Sequence, residues 1–312
     1  MTNSIFTADR PLRIGTRRSP LAMVQAQMTA AAIRTAHDLI ESAVVLMPML
    51  SSGDKIQDRP LAEIGGKALW TKELERAIID NHIDIAVHSM KDVETVRDDS
   101  FTISAMLPRA DIRDRLIGAK TIELLGAGAR VGTSSPRRAA QLRRLRPDVQ
   151  IVPLRGNVAT RLARIDAGEA DATLLAAAGL ERLGMHDVGH AISEQHLLPA
   201  ASQGAVGIDR LTARDDLGIF LDAINDRPTY VAVIAERAFL AALGGDCHSP
   251  VAALAMIQGD EMLLRGQIFS EDGNEMCSGE IRFALDDVDA PARLASWLLE
   301  QSSPGLRSLF ER

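Results

Sequence analysis

The sequence predicts an α/β protein of two duplicated lobes followed by a small α+β domain, and three observations carry that prediction. Short apolar runs alternate with helix-length stretches in βαβα order, which is the pattern of a mostly parallel sheet. The motifs found between Ile14 and Val87 return in the same order between Arg130 and Leu174. After Asn225-Asp226-Arg227-Pro228 the texture changes to one long helix and three strand-like runs.

Taken in order, Leu12 to Thr16 reads as a strand, and Ser19-Pro20 starts a helix over Leu21 to His37. Val44 to Leu50 is a second strand, Ser51 to Lys55 a polar loop, and Gly65-Gly66-Lys67 leads into a helix over Thr71 to Asn81. The apolar run that follows, Ile83 to Val87, ends abruptly in His88-Ser89-Met90-Lys91-Asp92. No strand interior accommodates an unpaired Lys and Asp, and ligands gather where the strands of α/β sheets end. Lys91 and Asp92 therefore belong at the mouth of a cleft.

The repeat is specific. Arg130-Val131-Gly132-Thr133-Ser134-Ser135-Pro136-Arg137-Arg138 echoes Ile14-Gly15-Thr16-Arg17-Arg18-Ser19-Pro20, and Gly156 to Leu162 with Asp171 to Leu174 echoes Gly66 to Leu74 with Asp84 to Val87. Pro108 to Ile117 reads as a crossover and Leu198 to Ile208 as a return strand, so two crossings enclose a cleft. The expected domains are residues 1–105 with 204–224, residues 106–203, and residues 225–312. The last holds a helix over Thr229 to Leu243, stopped by Gly244-Gly245, and strands at Ala252 to Ile257, Met262 to Ile268 and Glu280 to Phe283.

Composition narrows the function. With 312 residues, 46% of them apolar, the chain can bury two or three cores. Its start has neither a basic segment nor an apolar run, and nowhere do eighteen apolar residues stand together, so a soluble cytoplasmic protein with no membrane partner is expected. No long exposed apolar helix stripe is evident, which favours a monomer. Cys247 and Cys277 are too few for a disulfide framework and match no metal spacing. A net charge of −7 and 3% aromatic residues exclude general nucleic-acid binding. Yet Arg130, Arg137, Arg138, Arg143, Arg144, Arg146, Arg155, Arg161 and Arg164 share a span whose only acid is Asp148. That local cationic surface suits a small polyanion.

The hydroxyls and free N–H groups of Ser134-Ser135-Pro136, with Arg137 and Arg138 in the first turn, form an anion site at a helix start. Arginines there oppose the helix dipole, and a bound carboxylate or phosphate would offset this. Arg17-Arg18-Ser19 repeats the arrangement in the other lobe. Arg155 and Arg161 bracket a turn at Gly156-Asn157, and Arg182 follows a further strand, so together they suit a ligand with several carboxylates. Cys247 lies in the tight loop Leu243-Gly244-Gly245-Asp246-Cys247-His248-Ser249-Pro250, open to close approach, whereas Cys277 has the weaker claim. Asp246 disfavours its thiolate, and a protonated His248 favours it. Three patterns carry no chemistry: Gly126 to Gly132 precedes its strand and lacks dinucleotide-loop spacing, Gly189 spoils a helix between His186 and His190, and adjacent Cys247-His248 is no protease dyad.

With these residues collected, the chain resembles the porphobilinogen deaminase family from about Leu12 to Leu254. The likeness rests on Arg13 to Ala22, Gly65-Gly66-Lys67, Lys72-Glu73-Leu74-Glu75, His88 to Asp92, Gly132 to Ser135 with Arg137-Arg138, Arg155 to Val158, Gln203 to Gly207 and the Cys247 loop. It implies two lobes like those of type II periplasmic binding proteins, and a third domain whose Cys247 holds a dipyrromethane cofactor by a thioether. It further implies a transferase of heme biosynthesis that joins four porphobilinogen molecules. In family terms Asp92 is the catalytic carboxylate. Lys91, Thr133, Ser134, Ser135, Arg137, Arg138, Arg155, Gly156, Asn157 and Arg182 match cofactor positions, and Arg17, Ser19, Lys67, Trp70, Arg155, Arg161, Arg182 and Gln203 match substrate positions.

Five residues depart from the family pattern. Glu63 and Glu94 add negative charge near the entrance, Asp246 and Ser249 flank the cysteine, and Trp70 stands where Phe is usual. The rival from another class is a non-catalytic small-anion-binding protein on the same two lobes, which explains the arginines but neither the thiol loop nor the acid beside Lys91.

Overall fold

The computed structural model describes residues 5–49, 71–246 and 248–310. It divides into two compact units, Met1–Arg109 with Ala205–Tyr230, and Ala110–Gly204 with Val231–Arg312. The first begins with β1 (Leu12–Arg17), α1 (Pro20–His37), β2 (Val44–Met49), α2 (Lys72–Ile79), β3 (Ile85–Ser89) and β4 (Phe101–Met106). The second opens with β5 (Asp114–Ile117), β6 (Arg130–Gly132), α3 (Pro136–Leu145), β7 (Gln150–Val152), α4 (Val158–Asp166), β8 (Ala172–Ala176), α5 (Ala177–Arg182) and β9 (His190–Ala191). The chain then completes the first unit with β10 (Val206–Leu211) and α6 (Asp215–Asp222).

The duplication is plain in the sheets. Their strand orders are β2-β1-β3-β10-β4 and β7-β6-β8-β5-β9, one the topological copy of the other. Each is mixed, which corrects the expectation of a mostly parallel sheet: β1 pairs in parallel with β2 and β3, but β10 runs antiparallel to β3 and β4. The second sheet repeats this, with β5 antiparallel to β8 and β9. The crossing segments enter each sheet from the opposite end, so their pairing reverses. The return strand is also shorter than expected. It starts only at Val206, because Ser202 (φ 65°) and Gly204 (φ 86°) turn the backbone just before it.

Local sequence explains the helix that matters most. Ser19 caps α1 by accepting from Ala22 N, Pro20 occupies the first turn, and Asp38 ends the helix in the left-handed region. Ala22, Gln25, Ala26, Thr29, Ala30 and Ile33 form its buried stripe. That stripe covers Leu12 and Ile14 of β1, Ile85 and Val87 of β3, and Val206 and Ile208 of β10. Burying each of these large side chains contributes about 1.5–3 kcal/mol.

The remainder is α7 (Arg227–Ala242), the antiparallel meander β11 (Val251–Gln258), β12 (Glu261–Phe269) and β13 (Met276–Ala284), then α8 (Ala290–Gln301) and α9 (Pro304–Ser308). Phe239 of α7 packs against Gly266 of β12, where a Cβ would meet the ring at 2.4 Å. Glu236, fully buried on the same helix, accepts from the backbone N–H of Ser202 at 2.6 Å and of Ala255 at 2.8 Å. It thereby ties α7 to β11 and to the turn before the return strand.

In the first unit a second buried acid, Asp209 on β10, lies 3.2 Å from His88 Nε2 and accepts from Arg97 Nη1. Arg97 donates in turn to Glu75 of α2 at 2.8 Å. Burial pushes the Asp209 carboxyl up, but His88 and Arg97 outweigh this and hold it below the usual carboxylate range. Among the described residues no helix is long and apolar enough to cross a membrane.

Two outcomes follow from these acids. Glu236→Ala strands two buried N–H groups, so denaturant unfolding should register a loss of about 2–5 kcal/mol. Because the Asp209 pKa is lowered on folding, its stabilisation is present above the unfolded carboxylate range and disappears as pH falls through the folded value. Asp209→Asn should therefore be less stable than the parent at pH 7, by about 3–5 kcal/mol, and lose less on acidification from pH 5 to pH 2. Melting temperatures of both proteins across that range check the sign.

Candidate functional site

The predicted site residues fall into two groups, one on each unit. In the first, β1 and β3 are parallel neighbours with Ile14 opposite Ile85, so their C-terminal ends coincide. Past that end, Met90–Asp92 form a 3₁₀ turn. The turn is pinned twice: Met90 N donates to Ala205 O at 3.1 Å, and the Met90 side chain seats over Gly207, where a Cβ would lie 2.1 Å from its sulfur. With Met90 buried, Lys91 and Asp92 are left half-buried at the surface.

Asp92 lines an open concavity with Arg17, Ser19, Gln25, Thr71, His88 and Ser89. The structure thus brings Asp92, Arg17 and Ser19 together as the sequence predicts. Gln25, Thr71 and His88 were missed. Gln25 is hydrogen-bonded to Ser89 Oγ at 2.8 Å, and Thr71 Oγ1 donates to Glu94 Oε2 at 2.9 Å. Glu94, one of the departures from the family pattern, is therefore tied to the start of α2. Lys67 and Trp70, with Glu63 and the polar loop after Leu50, lie outside the described residues.

In the second unit, β6 leads into Thr133, Ser134 and Ser135 ahead of α3. Ser135 caps the helix by accepting from Arg138 N, Thr133 Oγ1 accepts from Ser135 N at 3.1 Å, and exposed Ser134 donates to Leu154 O at 3.2 Å. Arg137 and Arg138 are only 3% and 5% exposed. Both grip Asp114 of β5, Arg137 through Nη2 at 2.8 Å and Arg138 through Nη2 at 2.6 Å. Gln203, equally buried, donates to the same carboxylate at 2.9 Å. Burial raises the Asp114 pKa, but the two guanidinium groups overcome it and hold the carboxyl far below the usual range.

Two expectations are corrected here. The internal carboxylate of Asp114 offsets part of the positive charge of the arginines at the start of α3, which the sequence alone assigns to a bound anion. Nor is the arginine-rich span a continuous cationic surface. Arg146 pairs with Asp148 within the span, and the fold brings in Asp171 for Arg130 and Glu169 for Arg164 from outside it.

The loop after β7, the parallel neighbour of β6, carries Arg155, Gly156 and Asn157, and α4 carries Arg161 in its second turn. Gly156 has φ 111°, Asn157 caps α4 through Thr160 N at 2.9 Å, and Arg161 Nε donates to Gly156 O at 2.9 Å. Arg182 donates from Nη2 to Gly204 O at 2.7 Å. Burial lowers its pKa, and its Nε, like that of Arg137, is buried with no hydrogen-bond partner among the described residues. The hydroxyl-rich start of α3, with exposed Ser134 and two arginine charges set against a single internal carboxylate, fits an acidic cofactor.

Cys247 lies outside the described residues, but its flanks do not. Asp246 Oδ1 accepts from His248 N at 2.8 Å and from Ser249 Oγ at 3.3 Å, and Ser249 Oγ accepts from Asp246 N at 3.0 Å. The two residues that depart from the family pattern here are thus hydrogen-bonded to each other. Cys277 sits half-buried on β13 opposite Ile268, packed against the third core. His190 lies on β9 and not on a helix with His186, and among the described residues no cluster of His, Cys, Asp or Glu could hold a metal.

Comparison with known proteins identifies the family. Residues 12–218 match the family model for the porphobilinogen deaminase dipyromethane cofactor binding domain, and residues 230–300 match that for its C-terminal domain. The chain is 58% identical to the porphobilinogen deaminase of Sphingopyxis alaskensis, over 99% of both chains. It is 47% identical to that of Paracoccus denitrificans, over 86% of this chain and 87% of the other. The periplasmic VFT2 domain of Bordetella pertussis BvgS shares 11% identity with a TM-score of 0.39, over 68% of this chain and 86% of the domain. Matched along both parts of its length and similar from end to end to curated relatives, the chain belongs to the porphobilinogen deaminase family.

Proposed function

We propose that this chain joins four porphobilinogen molecules head to tail, releases ammonia at each addition, and frees the linear hydroxymethylbilane by hydrolysis. The observation that carries this reading is Asp92 held at the end of β3 beside Arg17 and Ser19 in one concavity. A dipyrromethane bound through a thioether to Cys247 supplies the pyrrole carbon that receives the first unit.

The chain's own residues do the rest. Breaking the aminomethyl C–N bond sends the electron pair out with ammonia and leaves a cation spread over the pyrrole. A fixed carboxylate stabilises that charge, and Asp92 can take the pyrrole protons that must leave. Arg17 and Ser19, with Lys67 and Trp70, orient the incoming acetate and propionate groups. Lys91, Thr133, Ser134, Ser135, Arg137, Arg138, Arg155, Gly156, Asn157 and Arg182 would hold the cofactor, and Arg155, Arg161 and Arg182 also take up the carboxylates of the growing chain. Gln203, fully buried, acts through its hydrogen bond to Asp114. The same reading makes the protein a cytoplasmic monomer, which sedimentation at the mass of one chain would support.

Asp92→Asn keeps the size and packing of the side chain and removes its charge and basicity. It should fold normally and consume porphobilinogen about 10² to 10⁴-fold more slowly. Turnover near the parent rate would overturn the role assigned to Asp92. A parent protein that releases no ammonia from porphobilinogen would overturn the function.

A further inference from the structure

Asp114 enters the roles above only as the partner of Gln203, yet its carboxylate is buried and engaged by three side chains. Its Oδ1 accepts from Arg138 Nη2 at 2.6 Å and Gln203 Nε2 at 2.9 Å, and its Oδ2 accepts from Arg137 Nη2 at 2.8 Å and Arg138 Nε at 3.3 Å. Four donors on two oxygens use its full acceptor capacity. The far sides of both arginines are also fixed. Arg137 Nη1 donates to Leu198 O at 2.7 Å and Arg138 Nη1 to Leu174 O at 2.8 Å. Neither guanidinium can turn without breaking a buried hydrogen bond.

Charge adds a second constraint. Two arginines against one aspartate leave a buried pair of cations only half compensated, at the helix end whose own dipole is positive. Two neighbouring guanidinium groups repel, and the carboxylate that both bind is what keeps them close. An anion arriving at the start of α3 then meets a fixed positive field that needs no reorganisation, which is where electrostatic binding sites gain most of their strength.

We infer that Asp114 is a positioning residue for anion capture: it orders Arg137, Arg138 and Gln203 as one unit and leaves one positive charge for the carboxylates of a bound pyrrole chain. This rests on the reading that α3 faces the dipyrromethane. A purely structural Asp114 would serve only to balance charge, and the two roles separate experimentally.

The test follows cofactor loading, by intact mass, when purified apoprotein is incubated with porphobilinogen. The parent should load completely. Asp114→Asn, folded by circular dichroism, should load at least tenfold more slowly. Asp114→Asn combined with Gln203→Glu restores a negative charge beside the arginines but not the shared carboxylate. It should recover most of the melting temperature and remain at least tenfold slow, and it decides the matter if the single variant does not fold. Loading at the parent rate by either folded variant would overturn the positioning role, as would failure of both to fold, which would assign Asp114 to the fold. An unloaded parent would overturn the deaminase reading and the positioning role with it.

Discussion

The pairing of β3 with β10 is the interaction on which the first unit depends. The strand that completes this sheet arrives only after the whole of the second lobe, and it inserts between β3 and β4. Without it β3 would be a sheet edge, and the Met90–Asp92 turn would lose both its anchors, Ala205 O and the seat over Gly207. Asp92 therefore owes its place to a contact between residues more than a hundred positions apart, although its motif reads as local. Such non-local pairing must bear the entropy of closing a long loop before it gains any contact. Asp209 sits on the same strand and fixes His88 from behind, so one element both closes the sheet and backs the concavity.

The duplicated sheets show how one backbone plan carries two chemistries. In the first unit Val206 opens the inserted strand opposite Ser89, and in the second Asp114 opens it opposite Ala176. In the first unit that position is apolar, and the acid stands half-buried on the neighbouring turn instead. A carboxylate at the same position turns inward and collects two arginines and a glutamine. The acid that would handle protons and the acid that gathers cations thus sit at related ends of related strands, with opposite exposure.

Much of this was legible in the sequence. The Ser-Pro helix starts, the abrupt polar end of the Ile83–Val87 run, the repeat and the change of texture after Pro228 each have a local physical cause. What escaped needed partners from elsewhere. The arginine span looked like an open cationic surface because Asp114, Asp171 and Glu169 lie outside it or at its far side in sequence. Asp114 itself stands among Asp111, Arg113 and Arg115 and resembles surface charge. The one available signal was period-two alternation with Leu116, which puts both side chains on the inner face. Gln25 carried a similar clue, a polar residue on the buried stripe of α1. The antiparallel insertion of β5 and β10 had no local signal, since strand direction in a sheet is decided by how the chain crosses, not by composition.

The most direct measurement is peptide mapping of the purified protein by mass spectrometry, locating any pyrrole adduct between its two cysteines. The deaminase reading predicts two linked pyrroles on the Cys247 peptide, and the packed strand position of Cys277 predicts that it stays unmodified. An adduct on Cys277, or a folded protein that carries none after exposure to porphobilinogen, would contradict it.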